Sequence, residues 1–229
     1  MNQGKTIYEM VRDWLKGIFN PELPKEPPEK SIFNPLNAKL GTSISVDAMD
    51  YRQFTFIVKE LRENKLDYGP KKFHFTDYIC RSALHEGEPF DIKVRVYKHD
   101  KPGHDLQTLV LKLWDTIDYD EGFKNLLGNE QFDLLVDGQV QSSFWRMNGA
   151  KKPYKVRVTN WDESGIKTID RQFWDYSGVQ TDRAGSEFKE FLFIDWDEDG
   201  KDDGELDENT GRFELWRGEE VVQTRISTI

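Results

Sequence analysis

Asp195, Asp197 and Asp199 precede Gly200, so carboxylates stand at every second position ahead of a residue that permits a sharp turn. This is the first half of an EF-hand calcium loop, where oxygens at positions 1, 3 and 5 converge on the ion. Asp203 falls on position 9 of the same loop. The second half departs from the pattern. Position 12 is Leu206, where a bidentate glutamate closes the shell, and position 8 is Asp202, where an apolar residue belongs. Apolar runs at 191–194 and 213–216 flank the segment and read as strands. The expectation is therefore a hairpin tip. Its carboxylates either form a Ca²⁺ site completed by Glu205, Asp207 or Glu208, or remain a hydrated acidic loop.

Other reactive side chains carry weaker patterns. His99, Asp100, His104 and Asp105 flank Lys101-Pro102-Gly103, which is turn chemistry before it is a metal site. His74 alternates with Phe73 and Phe75 and reads as a strand surface residue, and His85 lies in an acidic loop. Cys80, between Ile79 and Arg81, reads as a small buried hydrophobe. No G-x-S-x-G, H-E-x-x-H, Walker or dinucleotide-binding glycine motif occurs, so the chemistry leans away from an enzyme. The 7 tryptophans and 8 tyrosines leave one further alternative, a carbohydrate-binding β-sandwich that stacks sugar rings on aromatic faces.

The elements that must position these groups follow from composition and period. The 229 residues, 37% hydrophobic and 13% aromatic, suffice for a substantial core. A net charge of −10 repels a phosphate backbone, and no Lys/Arg cluster offers a local exception, so nucleic acid is not an expected partner. Residues 187–220 hold 14 acidic and 4 basic residues, which accounts for the whole net charge. A single cysteine excludes an internal disulfide, and residues 1–16 lack the zones of a secretory signal, so a cytoplasmic location is expected.

Ile7, Met10, Val11, Trp14, Leu15, Ile18 and Phe19 recur at spacings of three and four, which predicts an amphipathic helix within residues 1–19. Its polar face mixes signs, so it suits docking on the protein's own body, on a partner protein or on a membrane surface. Pro21, Pro24, Pro27, Pro28 and Pro35 make 20–35 a stiff linker. Residues 36–229 form a β-rich body, with a candidate division near 128–150. Period-two alternation predicts strands at 54–58, 90–96, 154–160, 166–174, 188–194, 211–216 and 221–227. A hairpin through Asp137-Gly138 joins 132–136 to 140–144, and a short helix covers 119–127. In the strand at 90–96, Asp91, Lys93 and Arg95 occupy the face read as solvated. W-D-x-[SD]-G recurs at Trp161, Trp174 and Trp196, read as strands that end in a packed tryptophan and then turn. The predicted class is mainly β (α+β), with antiparallel sheets in a sandwich or open barrel.

The run Asn34-Pro35-Leu36-Asn37-Ala38-Lys39-Leu40-Gly41 to Asp47, with the Glu-rich strand pattern at 187–194, resembles the YjfK-like family of bacterial proteins over roughly residues 31–226. The long acidic loop departs from that family's pattern. The resemblance implies a cytoplasmic, membrane-stress-associated protein without an established activity or site residues. The leading functional expectation is a non-enzymatic protein that binds a protein partner or its own kind through the helix in 1–19. A calcium-binding module using 195–208 is the alternative. Calorimetry with millimolar Ca²⁺ on the intact chain and on Asp197→Ala checks that alternative. It requires heat from the former that the latter loses.

Overall fold

β-Branched and aromatic residues at alternate positions favour extended chain, and here such stretches are long. The computed structural model describes residues 31–32, 38–48, 51–52, 54–68, 71–83, 88–98, 107–136, 138–147, 152–181, 185–197 and 211–229. The predicted helix with Ile7, Met10, Val11, Trp14, Leu15 and Ile18, most of the proline linker, Asp199, Asp203, His85, His99 and His104 lie outside the described residues.

The strands are β1 (Ser31–Ile32), β2 (Ser43–Val46), β3 (Thr55–Tyr68), β4 (Lys71–Ser82), β5 (Asp91–Lys98) and β6 (Gln107–Asp118). A short helix, α1 (Glu121–Leu126), leads to β7 (Gln131–Val136) and β8 (Gln139–Arg146). The chain continues through β9 (Tyr154–Asp162), β10 (Gly165–Thr181), β11 (Glu187–Asp197), β12 (Arg212–Glu220) and β13 (Ile226–Thr228). β1 pairs with β13, Ser31 opposite Thr228 and Ile32 opposite Ser227.

All pairings are antiparallel, and eight strands close on themselves. Two meanders, β3–β6 and β9–β12, join through β6 with β12 and through β9 with β3. The predicted sandwich or open barrel is therefore corrected to a closed barrel. β9 supplies the closure by pairing with β10 on one side and β3 on the other, which leaves no free edge in the ring. β3 and β10 outrun β9 at opposite ends. The surplus at the start of β3 pairs with β2, and the surplus of β10 pairs with β8.

Three apolar clusters follow from this plan. Ile44, Val46 and Ile226 from β2 and β13 cover Tyr78, Cys80, Ile92, Val94 and Val110 on the outside of β4–β6. Leu134 and Phe144 of the β7–β8 hairpin and Leu127 cover Trp174, Tyr176, Leu192, Ile194 and Leu215 on the outside of β10–β12. Residues 128–150, where a division was read, carry this hairpin. Alternate residues of the ring fill the interior, among them Phe75, Leu111, Val156, Phe173, Phe193 and Trp216.

Local signals explain several boundaries. Asp120 caps α1 by accepting from the Phe123 amide at 2.6 Å. Gly138 takes φ 75° in the β7–β8 turn, as its position after Asp137 predicts. The tryptophan recurrence holds in part. Trp161 precedes the Asp162–Gly165 turn, but Trp174 lies inside β10, which runs on to Thr181. Gly178 there is no turn residue. A Cβ on it would lie 2.4 Å from the Ser143 carbonyl oxygen of β8, so its small size admits the hairpin. The strand predicted at 221–227 is a 3-10 turn at Gln223–Arg225 followed by the short β13.

Candidate functional site

The charges read as a solvated face of β5 point into the barrel. Lys93 and Arg95 are 0% and 1% exposed. Their inward direction follows from what they touch. Arg95 lies 4.4 Å from the rings of Phe75 on β4 and Phe193 on β11, and β11 does not neighbour β5. Lys93 Nζ crosses the barrel to donate to Asp195 Oδ2 on β11 and sits 4.2 Å from the Trp216 ring on β12.

Around this bond the remaining charges are paired. Arg95 Nε and Nη2 donate to both oxygens of Asp77, at 2.7 and 2.9 Å, and Asn64 Nδ2 adds a bond to Asp77 Oδ2 at 3.2 Å. Arg62 on β3 donates to both oxygens of Glu60, at 2.6 and 3.1 Å, and across the barrel to Glu214 Oε2 at 3.2 Å. Trp216 Nε1 donates to the same Glu214 oxygen at 3.1 Å. Arg95 Nη2 and Arg62 Nη1 each stand 4.0 Å from the Asp195 carboxylate. Lys93, Arg95 and Arg62 thus surround one aspartate.

The electrostatic consequence is a set of locked charges. Burial alone would raise the Asp195 carboxyl, but Lys93, then Arg95 and Arg62, overrule it and hold it at about 2. Glu214 is likewise held at about 2, where burial is overruled by Arg62, Lys93 and Arg171. Burial pulls on the Arg62 and Arg95 guanidiniums, yet their carboxylate neighbours hold both above the ordinary arginine value. Burial lowers the Lys93 ammonium against the pull of Asp195. The carboxylates Asp195 and Glu214 are ionised far below neutral pH, so neither is poised to exchange a proton as a general acid or base there.

Asp195, predicted as the first ligand of an ion loop, is therefore committed to Lys93, and Asp197 closes β11 opposite Arg212. β11 and β12 do form the predicted hairpin flanks. Among the described residues, no group of three or more His, Cys, Asp or Glu side chains is placed to hold a metal. Cys80 is a buried free thiol and His74 an exposed strand residue, as read from the sequence. Three tryptophans, Trp174, Trp196 and Trp216, are core residues rather than a sugar platform. A shallow cleft of about 310 Å³ lies between α1 and the start of β9, lined by Tyr119, Lys124, Asn125, Pro153 and Trp174. The Lys124 ammonium rests 4.0 Å from the Trp196 ring beside it.

The exposed feature that sequence reading missed is the outer face of the β7–β8 hairpin. Leu134 and Phe144 turn inward, so their neighbours turn outward. Leu135 and Val140 are cross-strand partners, 57% and 58% exposed, and Trp145 is 52% exposed on the same face. Trp145 pairs with Ser177 of β10, which places Val179, 64% exposed, beside it. The only sequence signal was the alternation of Leu134-Leu135, apolar on both faces of the strand.

Two outcomes test the network. Asp195→Leu should cost about 3–5 kcal/mol in urea unfolding, since it strands Lys93 in the interior. Lys93→Met should cost less, because Arg95 and Arg62 remain beside Asp195, and the double variant should recover most of the loss. Equal single losses that add would refute the coupling. The pH dependence has a definite sign. Folded-state values near 2 lie below the ordinary 3.8 and 4.5 of Asp195 and Glu214, so the unfolded chain binds more protons in acid. Stability is complete above about pH 5 and falls toward about pH 2. Glu214→Gln should flatten that slope in a urea midpoint series, and an unaltered slope would remove Glu214 from the cause. No family model matches the chain, and no curated protein or solved structure matches it significantly.

Proposed function

We propose that this protein acts without catalysis, by binding other proteins, and that the outer face of the β7–β8 hairpin is its contact surface. The observation that carries the reading is that Leu135, Val140, Trp145 and Val179, each more than half exposed, share one face of the hairpin and β10, with Leu135 and Val140 near the turn, Trp145 and Val179 toward β10, and the polar pair Gln131–Asp133 between. Leaving four large apolar side chains in water forgoes a stabilisation of about 1.5–3 kcal/mol for each one that could be buried, and large apolar side chains exposed together on one face mark interaction sites. Trp145 is the one aromatic among them, the residue type that most often anchors an interface.

The interior supports the same reading. A closed barrel whose interior packs aromatic rings against ion pairs is a firm support for its outer elements. The free, buried thiol of Cys80 suits the reducing cytoplasm expected from the sequence. The apolar stripe of residues 6–19 offers a second contact for a partner or for a membrane surface under stress, in line with the YjfK-like resemblance.

Trp145→Arg and Leu135→Lys in the full chain test this. Both positions are exposed, so folding stability should change by about 0.5 kcal/mol or less. Cross-linking in cells should lose the protein neighbours recovered with the unsubstituted chain. A stable variant that keeps the same neighbours would count against the hairpin, and loss only on removing residues 1–22 would assign binding to the N-terminal stripe.

A further inference from the structure

We infer that β7 is a docking edge that takes an additional antiparallel or parallel strand from an extended, basic partner segment with apolar side chains at alternate positions. This rests on the hairpin reading above and adds the mode of binding and the partner's chemistry. Among the described residues β7 pairs with β8 alone and ends the sheet, so half of its backbone groups face outward. Edge strands are ordinarily guarded by lysine, proline or a bulge that twists the edge away. β7, with the sequence QFDLLV, has neither lysine nor proline, and where its ladder with β8 shifts register between Leu134 and Leu135 the extra residue, Gln141, is on β8.

Both sides of that edge offer apolar surface. On the outer side stand Leu135 and Trp145. On the other, Phe132 meets Phe123 of α1 edge-on at 6.0 Å, and Leu126, one helical turn beyond Phe123, is 54% exposed. An incoming strand would lay its side chains alternately on these two surfaces, as strand-addition complexes require.

Charge selects the partner. Glu130, Asp133 and Asp137 fall in or beside β7, against Lys124 of α1 and Arg146 at the end of β8, so the stretch is net acidic within a chain of net charge −10. A second copy of this chain would set this acidic edge against itself and bring together two molecules of net charge −10. A segment bearing lysine or arginine meets complementary charge instead, which also makes the association salt-sensitive.

The probe is a capped eight-residue peptide alternating valine and lysine, titrated into the full chain. Hydrogen exchange should slow at β7 amides, affinity should fall about tenfold when the peptide amides that face β7 are N-methylated, and the valine–glutamate analogue should bind at least about tenfold more weakly. N-Methylated peptide binding equally well would overturn strand addition while leaving side-chain docking on the hairpin intact. Unchanged β7 exchange at saturating peptide, or slowing that depends only on protein concentration and accompanies a dimer in sedimentation, would overturn the proposal as well. Trp145→Arg tests the hairpin reading separately, because it alters the face and not the backbone edge.

Discussion

Lys93 on β5 and Asp195 on β11 meet across the barrel, and the rest of the interior is arranged around that contact. Two isolated charges cannot be kept in so dry a place, so each needs further neighbours. Asp195 is ringed by Arg95 and Arg62. Each arginine then needs its own carboxylates, which Asp77, Glu60 and Glu214 supply. The charges come from β3, β4, β5, β11 and β12, so the network is assembled only when both meanders have closed into a ring. The pairs Lys93–Asp195 and Arg62–Glu214 join strands far apart in the chain, so a one-residue slip of a ladder would turn its charged member to the other face.

The hairpin we propose as the contact surface is the one that β10 carries beyond the end of β9. It is held from beneath by Leu134 and Phe144 in the outer core and by the Tyr176 hydroxyl, which donates to the Leu127 carbonyl at 2.9 Å. Arg217 fastens its base by donating to Ser142 Oγ at 3.0 Å while pairing with Glu190. The inner face is thus fixed, and the outer face and free edge are displayed. A contact surface mounted this way loses little conformational entropy on binding.

Much of the architecture was legible. Alternation at β3, β5, β9, β10 and β11 marked strands, Asp137-Gly138 marked the hairpin turn, and the flanks of the acidic segment were rightly read as paired strands. The polar alternation of β5 misled, because the same pattern describes a strand with one face in water and a strand whose second face meets charges of opposite sign. One clue was present. Asp195 stands within Phe191-Leu192-Phe193-Ile194-Asp195-Trp196, a run apolar on both faces, and a lone carboxylate there must be buried and paired.

By itself the sequence determined the β class, which residues of a strand such as β5 share a face, and the concentration of acidic residues in 187–220, since these depend on local period and composition. Which faces close upon which is a matter of contacts between residues far apart in the chain. Only the tertiary structure therefore decided that Lys93 and Asp195 share an interior, and that Asp195 belongs to a cross-barrel ion network. The same holds for the exposed face: Trp145 is left outside because Phe144, its neighbour, was needed in the core.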